Sequence, residues 1–310
     1  MQKKVMIAVD DSQHSKNAIR YAAGIRKVSR EMTYTLMHVQ ATISQYLLDE
    51  AKQKPKAYAA LEAVNRKNAQ AAQRLLENAR EQMVALGVPE ADIQLRTGPK
   101  KKSVTNDILD AGLTGLFDAV IMGRRGLSGV AEVFLGSVSA GTVNQSTETP
   151  IWLVGREKDS NSIMVAVDGS ENSLKALDHL AFIIETTSDV TISLFHVTPR
   201  LQDYCAIDFE ETNTDELEEI IRRGDKACID KFYAHAKKRL TESGIQESQI
   251  QVKVATGVFR VAKAVLDAYQ KGGFGTLVVG RRGMNQSGFT GSVSRTIINQ
   301  FSDGALWVVP

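Results

Sequence analysis

At 310 residues the chain is long enough for about two domains of ordinary size, each able to bury its own core, and its 43% apolar and 24% charged residues are those of a globular protein. A formal charge of +2, from 38 basic and 36 acidic residues, gives no electrostatic case for nucleic acid or an anionic membrane. Two cysteines, Cys205 and Cys228, are too few for a disulfide framework, no Cys/His cluster has metal-ligand spacing, and no apolar run approaches the ~18 residues of a membrane span. The first strand begins within a few residues of Met1, which leaves no room for a signal peptide, so the expected compartment is the cytoplasm.

Residues 3–10 (KKVMIAVD) form a short β-branched run that ends in Asp10, Asp11 and Ser12, residues suited to capping a helix. Ala18, Ile19, Ala22, Ala23 and Ile25 then make an apolar stripe at helical spacing. Residues 34–39 (YTLMHV) are a second strand, followed by a polar connection containing Pro55. A long helix pattern runs from Tyr58 to Leu86 and stops at Gly87 and Pro89. The third strand is 93–97, closed by Gly98-Pro99. Helix 104–116, strand 118–122, helix 137–145 and strand 151–154 complete the first half.

The second half repeats this order: strand 163–168, a helical stripe at Leu174, Leu177, Ala181 and Ile184, strand 191–197, a long helix over 215–240 and strand 250–256. A helix over 261–269, strand 276–279, helix 292–300 and strand 306–309 follow. Asp10 to Asp168 and His38 to His196 are each offset by 158 residues, Gly123 to Gly280 by 157, and Trp152 to Trp307 by 155. An offset that drifts so little over the whole length marks a duplicated domain with small indels. The domains are expected at 1–155 and 162–310, joined by the short charged linker 156–161. Strands alternating with helices imply open parallel sheets covered on both faces, with ligands beyond the carboxyl ends of the strands, where Asp10 and the Gly123 loop both lie.

The stretch from Gly123 to Ser139 carries the chemistry. Gly123 and Gly126 permit a close backbone approach, and Gly136-Ser137 opens a helix whose first N–H groups are unpaired at the positive end of the dipole. Ser137 and Ser139 add hydroxyls, and Arg124 and Arg125 can meet phosphate oxygens. The same residues would serve equally as a plain turn, a capped helix and two solvated arginines. Their recurrence at Gly280, Arg281, Arg282, Gly283, Gly291, Ser292 and Ser294, after the same strand, favours anion binding, with phosphate the most plausible anion.

Gly123-x2-Gly126-x9-Gly136-Ser137 resembles the nucleotide-binding signature of the universal stress protein family. The strand ending Val9-Asp10-Asp11-Ser12, the His38-Val39 strand end and the run 149–154 (TPIWLV) resemble that family too. The likeness covers essentially the whole chain as a tandem pair. It implies two five-stranded α/β sheets of order 3-2-1-4-5, ATP between the first and fourth strands, with Mg2+ as a possible companion, and pairing of the two domains within the chain, with further homodimerisation open. By the same likeness Asp10 lies near adenine and ribose and the Val39 backbone meets adenine. Met122, Gly123, Arg125 and Gly126 form the ribose and phosphate loop, and Gly136, Ser137 and Val138 the phosphate-binding helix start. The matching positions in the second half are Asp168, Val197, Val279, Gly280, Arg282, Gly283, Gly291, Ser292 and Val293. The second loop has seven residues between its glycines instead of nine, with Gly288 among them, which makes the second site the weaker expectation.

His38 and His196 read as structural histidines, and Ser12 and Ser170 as caps, since no G-x-S-x-G elbow surrounds them. Lys100-Lys101-Lys102 reads as a solvated loop, with an extra anion contact as the alternative, and 202–219 as an irregular acidic segment that is a candidate flap. The leading function is an ATP-binding stress-response regulator with an unknown protein partner, the nucleotide acting as ligand or conformational cue. The alternatives are a slow ATP-cleaving enzyme, an interaction module with one degenerate site, and, more weakly, a flavodoxin-like carrier. The chain has neither an S-G-G-x-D-S loop nor a Walker G-x-x-x-x-G-K-[ST], and no acid/base pair stands out, so no catalytic residue is assigned.

Overall fold

A computed structural model describes residues 2–29, 31–125, 135–184, 190–198, 214–281 and 291–310, with the side chains at 214–218 and 221–222 excepted. The chain divides into two compact units, residues 1–155 and 156–310, the turn at 28–30 aside.

In the first unit β1 (Lys3–Ala8), β2 (Met32–Val39), β3 (Ile93–Gly98), β4 (Ala119–Gly123) and β5 (Ile151–Val154) form a parallel sheet of order β3-β2-β1-β4-β5. Helices α1 (Gln13–Ile25), α2 (Gln45–Ala51), α3 (Pro55–Ala85), α4 (Val104–Thr114) and α5 (Ser137–Gln145) complete it. β4 and β5 are buried along their whole length, as apolar runs in a doubly covered parallel sheet must be. α1 buries Ala18, Ile19, Ala22, Ala23 and Ile25, the stripe seen in the sequence. Tyr21 stands edge-on to the fully buried Trp152, with ring centroids 6.3 Å apart.

The 40–57 connection differs from the sequence expectation. It contains α2, whose N-cap Ser44 accepts a hydrogen bond from the Leu47 N–H at 3.2 Å. Pro55 does not break the chain but occupies the first turn of α3, where its missing N–H costs nothing. Neither α2 nor the first half of α3 buries a residue; α3 is anchored by Ala72, Leu76, Ala79 and Met83 in its second half.

In the second unit β6 (Ser162–Val167), β7 (Thr191–Val197), β8 (Ile250–Ala255), β9 (Thr276–Gly280) and β10 (Ala305–Val309) are again parallel, in the order β8-β7-β6-β9-β10. This is the 3-2-1-4-5 order once more. Helices α6 (Glu171–Ile183), α7 (Thr214–Glu242), α8 (Val261–Lys271) and α9 (Ser292–Gln300) are described in it. The proposed flap over 202–219 is helical from Thr214 onward, and its earlier part lies outside the described residues, as do Cys205 and Gly288. His179 takes the place of Tyr21, its ring 5.6 Å from that of Trp307. The segment 156–160 lies along this unit: Arg156 pairs with Asp303 at 2.6 Å, and Lys158 Nζ stands 4.4 Å over the ring of Tyr269.

Candidate functional site

In the first unit β1 ends one turn short of α1, and the turn between them is held by a closed hydrogen-bond set. Asp10 Oδ1 accepts from the Ser12 N–H at 3.0 Å and from the Ser12 hydroxyl, while the Ser12 Oγ accepts from the Ser15 N–H at 3.1 Å. The Asp10 N–H donates to Ser15 Oγ at 3.1 Å. Ser12 is thus the N-cap of α1, and one carboxylate oxygen of Asp10 is spent on the turn. The other, Oδ2, has no partner among the described residues.

Beside it β4 ends at Gly123. A Cβ there would come within 2.7 Å of the His14 backbone carbon, so only glycine lets the strand end pass α1 this closely. The loop that follows is pinned at both margins. The Arg124 N–H donates to the Val154 carbonyl at 2.8 Å, the Gly136 N–H to the Arg124 carbonyl at 3.0 Å, and the Ser139 hydroxyl to the Gly123 carbonyl at 2.9 Å. α5 therefore starts from a fixed point. Its N-cap is Gly136, with no side-chain cap, and its first backbone bond runs from Ala140 back to Gly136 at 2.8 Å, which leaves the earlier N–H groups to a ligand or solvent.

These elements enclose a cavity of about 320 Å³ at the carboxyl ends of β1, β2 and β4. Asp10, Val39, Met122, Gly123, Arg125, Gly136, Ser137 and Val138 all line it. Gly126 lies outside the described residues. The sequence did not single out Met37, Val104 and Ile108, the apolar wall of the cavity; Val104 and Ile108 lie one helical turn apart on α4. The two arginines divide. Arg125 lines the cavity and its Nε is buried without a hydrogen-bond partner. Arg124 is only 2% exposed and is absent from the lining, which corrects the expectation that both reach a phosphate. Consecutive residues leaving a strand face opposite ways, so one of the pair turns inward. His14 stands between these charges. Burial lowers its pKa, Arg125 and Arg124 lower it further, and Asp10 opposes them.

His38 Nδ1 is 2.8 Å from the Val9 carbonyl, and Thr97 donates to the His38 carbonyl at 2.9 Å, so this histidine fixes the ends of β1 and β2. The lysine run is likewise structural in part: the Lys101 and Lys102 N–H groups donate to Asp107, and the Lys102 ammonium pairs with Asp110 at 3.0 Å.

The second unit repeats the frame. Asp168 Oδ1 accepts from the Ser170 N–H at 3.0 Å and from the Ser173 hydroxyl, and Ser170 caps α6 through the Ser173 N–H at 3.2 Å. A Cβ at Gly280 would lie 2.9 Å from the Asn172 carbonyl oxygen. The Arg281 N–H donates to Val309, the Gly291 N–H to Arg281, and the Ser294 hydroxyl to Gly280, at 2.7, 3.1 and 2.7 Å. Val197 and Val279 are buried, Val293 and Ser292 stand at the start of α9, and Arg282 and Gly283 lie outside the described residues. One contact has no counterpart among the described residues of the first unit. His196, 3% exposed, has Nδ1 at 2.9 Å from the Val167 carbonyl and Nε2 at 3.1 Å from Asp225 Oδ2 on α7. Cys228, one turn on, has its Sγ 3.3 Å from where a Cβ at Gly169 would sit.

Both units thus carry the same pinned loop after the fourth strand of the sheet. The universal stress protein family matches residues 1–154 and again 160–309. The chain belongs to the universal stress protein family. It is 26% identical over 156 residues to the universal stress protein YxiE of Bacillus subtilis, a stretch covering 50% of this chain and 99% of that one. Its fold is similar to that of a universal stress protein from Archaeoglobus fulgidus, at a TM-score of 0.63 and 17% identity over 99% of this chain and 97% of the other. A putative universal stress protein from Pseudomonas aeruginosa aligns at a TM-score of 0.56 and 12% identity, over 99% and 93%. Among the described residues no group of His, Cys, Asp or Glu could hold a metal ion, and no helix is long and apolar enough to cross a membrane.

Proposed function

We propose that the chain is a stress-response regulator that binds ATP in the cavity of its first unit, the nucleotide serving as ligand rather than as substrate of fast catalysis. The observation that carries this reading is the convergence, on one cavity of about 320 Å³, of an apolar wall, a carboxylate oxygen and an uncapped helix start. The residues fit the ligand. Met37, Val104 and Ile108 would take the base beside the Val39 backbone, and Asp10 Oδ2 would accept from a ribose hydroxyl. The N–H groups of Ser137 and Val138, with Arg125, would hold the phosphates, and Mg2+ would enter on the phosphates rather than on a protein cluster. The second unit, with its shorter loop and its His196–Asp225 contact, is the weaker site. Cytoplasmic placement belongs to the same reading.

Titration calorimetry of the full chain with ATP and Mg2+ tests it. One nucleotide per chain is expected. Two of equal affinity would overturn the ranking of the sites, and none would sink the nucleotide reading. Gly136→Val, which sets a branched side chain on the cavity wall, is expected to weaken that single site at least tenfold, about 1.4 kcal/mol. Phosphate release at ordinary enzymatic rates, about 1 per second or faster, would replace a ligand with a substrate.

A further inference from the structure

A second cavity in the first unit, of about 510 Å³, lies at the other end of the strands from the crevice. Its floor follows from register. Lys4 pairs with Thr33, Thr35 with Gln94 and Met37 with Arg96, so the side chains of Lys4, Thr33, Thr35, Gln94 and Arg96 stand on one face of β1, β2 and β3. This is the face on which α4 packs, since a Cβ at Gly112 would meet Val120 and Met6. α4 approaches β1 and β4 there through Gly112 and ends at Thr114. Phe117, in the turn after α4, walls the groove on that side.

Charge on this face is unbalanced. Neither the Lys4 ammonium nor the Arg96 guanidinium has an acidic partner among the described residues. Of the acids nearby, Asp92 is paired with Arg26 at 2.6 Å, and Asp118, which accepts from the Lys4 N–H at 2.7 Å, leaves one negative charge against two positive ones. The Thr35 hydroxyl and the Gln94 amide make no hydrogen bond among the described residues either. The second unit shows what these positions can do. Lys253 and Phe274 stand 157 residues after Arg96 and Phe117, and there the ammonium lies 5.5 Å from the ring centroid. In the first unit no cation among the described residues covers Phe117, so the ring face and both cations are left to an incoming group.

We propose that this groove binds a small planar anion, an aromatic carboxylate or sulfonate whose ring lies on Phe117 and whose acid group meets Lys4 or Arg96. The volume is that of a small-molecule site. A cation beside an aromatic wall selects a ligand that is flat and negatively charged together. The site is independent of the nucleotide reading, because it shares no residue with the crevice.

The test uses 8-anilinonaphthalene-1-sulfonate as probe on the full chain, followed by fluorescence, with a thermal melt on every variant. Saturable binding is expected, unchanged by saturating ATP. The Lys4→Glu/Arg96→Glu double variant is expected to bind at least tenfold more weakly while its ATP titration stays as in the parent chain. Gln94→Trp, at an exposed position on the floor, keeps both charges, fills the groove and is expected to weaken the probe as well. Lys253→Glu in the second unit is expected to change nothing. Retention of full affinity in the double variant or in Gln94→Trp would overturn the proposal, as would displacement of the probe by ATP or the absence of saturable binding. Loss of ATP binding with the probe still bound would strike the nucleotide reading alone.

Discussion

The two crevices share a frame and differ in what leans on it. Each has an aspartate tied into a Ser-capped turn, a glycine pressed against the first helix, a pinned arginine carbonyl and a glycine N-cap. What differs is the long helix. In the first unit the residue in register with Asp225 is Asn68 and the one in register with Cys228 is Ala71, both 157 positions earlier. His38 is therefore half-buried at the edge of its cavity, whereas His196 is 3% exposed beneath an Asp225 side chain that is itself 7% exposed. Duplication preserved the backbone cradle, which glycines and main-chain hydrogen bonds specify. It let the side chains above the cradle diverge, because they are specified only by what packs on them.

The largest effects are expected at the glycine that both crevices share. Gly123→Val and Gly280→Val each push a branched side chain onto main-chain atoms, of His14 and Asn172 respectively, which cannot move aside as the tip of a side chain can. Each is expected to destabilise its unit by about 3 kcal/mol or more, read as a lowered melting transition. Only Gly123→Val should also abolish nucleotide binding, and equal loss from Gly280→Val would erase the functional distinction between the crevices. Next in size is Asp225→Ala, which strips a buried histidine of its partner. A loss of about 2–4 kcal/mol is expected in denaturant unfolding, against less than about 0.5 kcal/mol for Asn68→Ala; similar losses from the two would show that α7 is not tied down in a way that α3 is not. The smallest effect concerns the aromatic pairs. Burial pushes His179 down to about 3, so the folded form resists a proton that the unfolded chain accepts near 6.5. The stability this favours is complete above pH 6.5 and is lost as the pH falls toward 3. About 1–2 kcal/mol should disappear between pH 6.5 and 5, and His179→Phe should flatten that slope, while Tyr21→Phe in the first unit should leave it unchanged.

The strand order implied by the resemblance is the one found in both units, and α5, β5, β7 and α9 begin and end where their residue patterns do. β5 is a short apolar run between Pro150 and Gly155, and α5 and α9 each start from a glycine N-cap, so local chemistry decides those ends. α2 prints no apolar period because its seven residues bury nothing, and Pro55, placed by the sequence in the polar connection, sits in the first turn of α3. The facing of Arg124 against Arg125 depends on one step of chain direction, which identical neighbours conceal. Asp225 meets His196 across 29 residues of sequence, a contact set by the docking of a helix rather than by any spacing.

The uneven anchoring of α3 has a mechanical meaning. A helix that buries Ala72, Leu76, Ala79 and Met83 and no residue before them is a cantilever, clamped at its far end and packed beside α2. β2 leaves the crevice at Val39 and reaches this end through the 40–54 connection and its helix α2. Bending or fraying the first four turns breaks no core packing, so they are the part of this helix that costs least to displace.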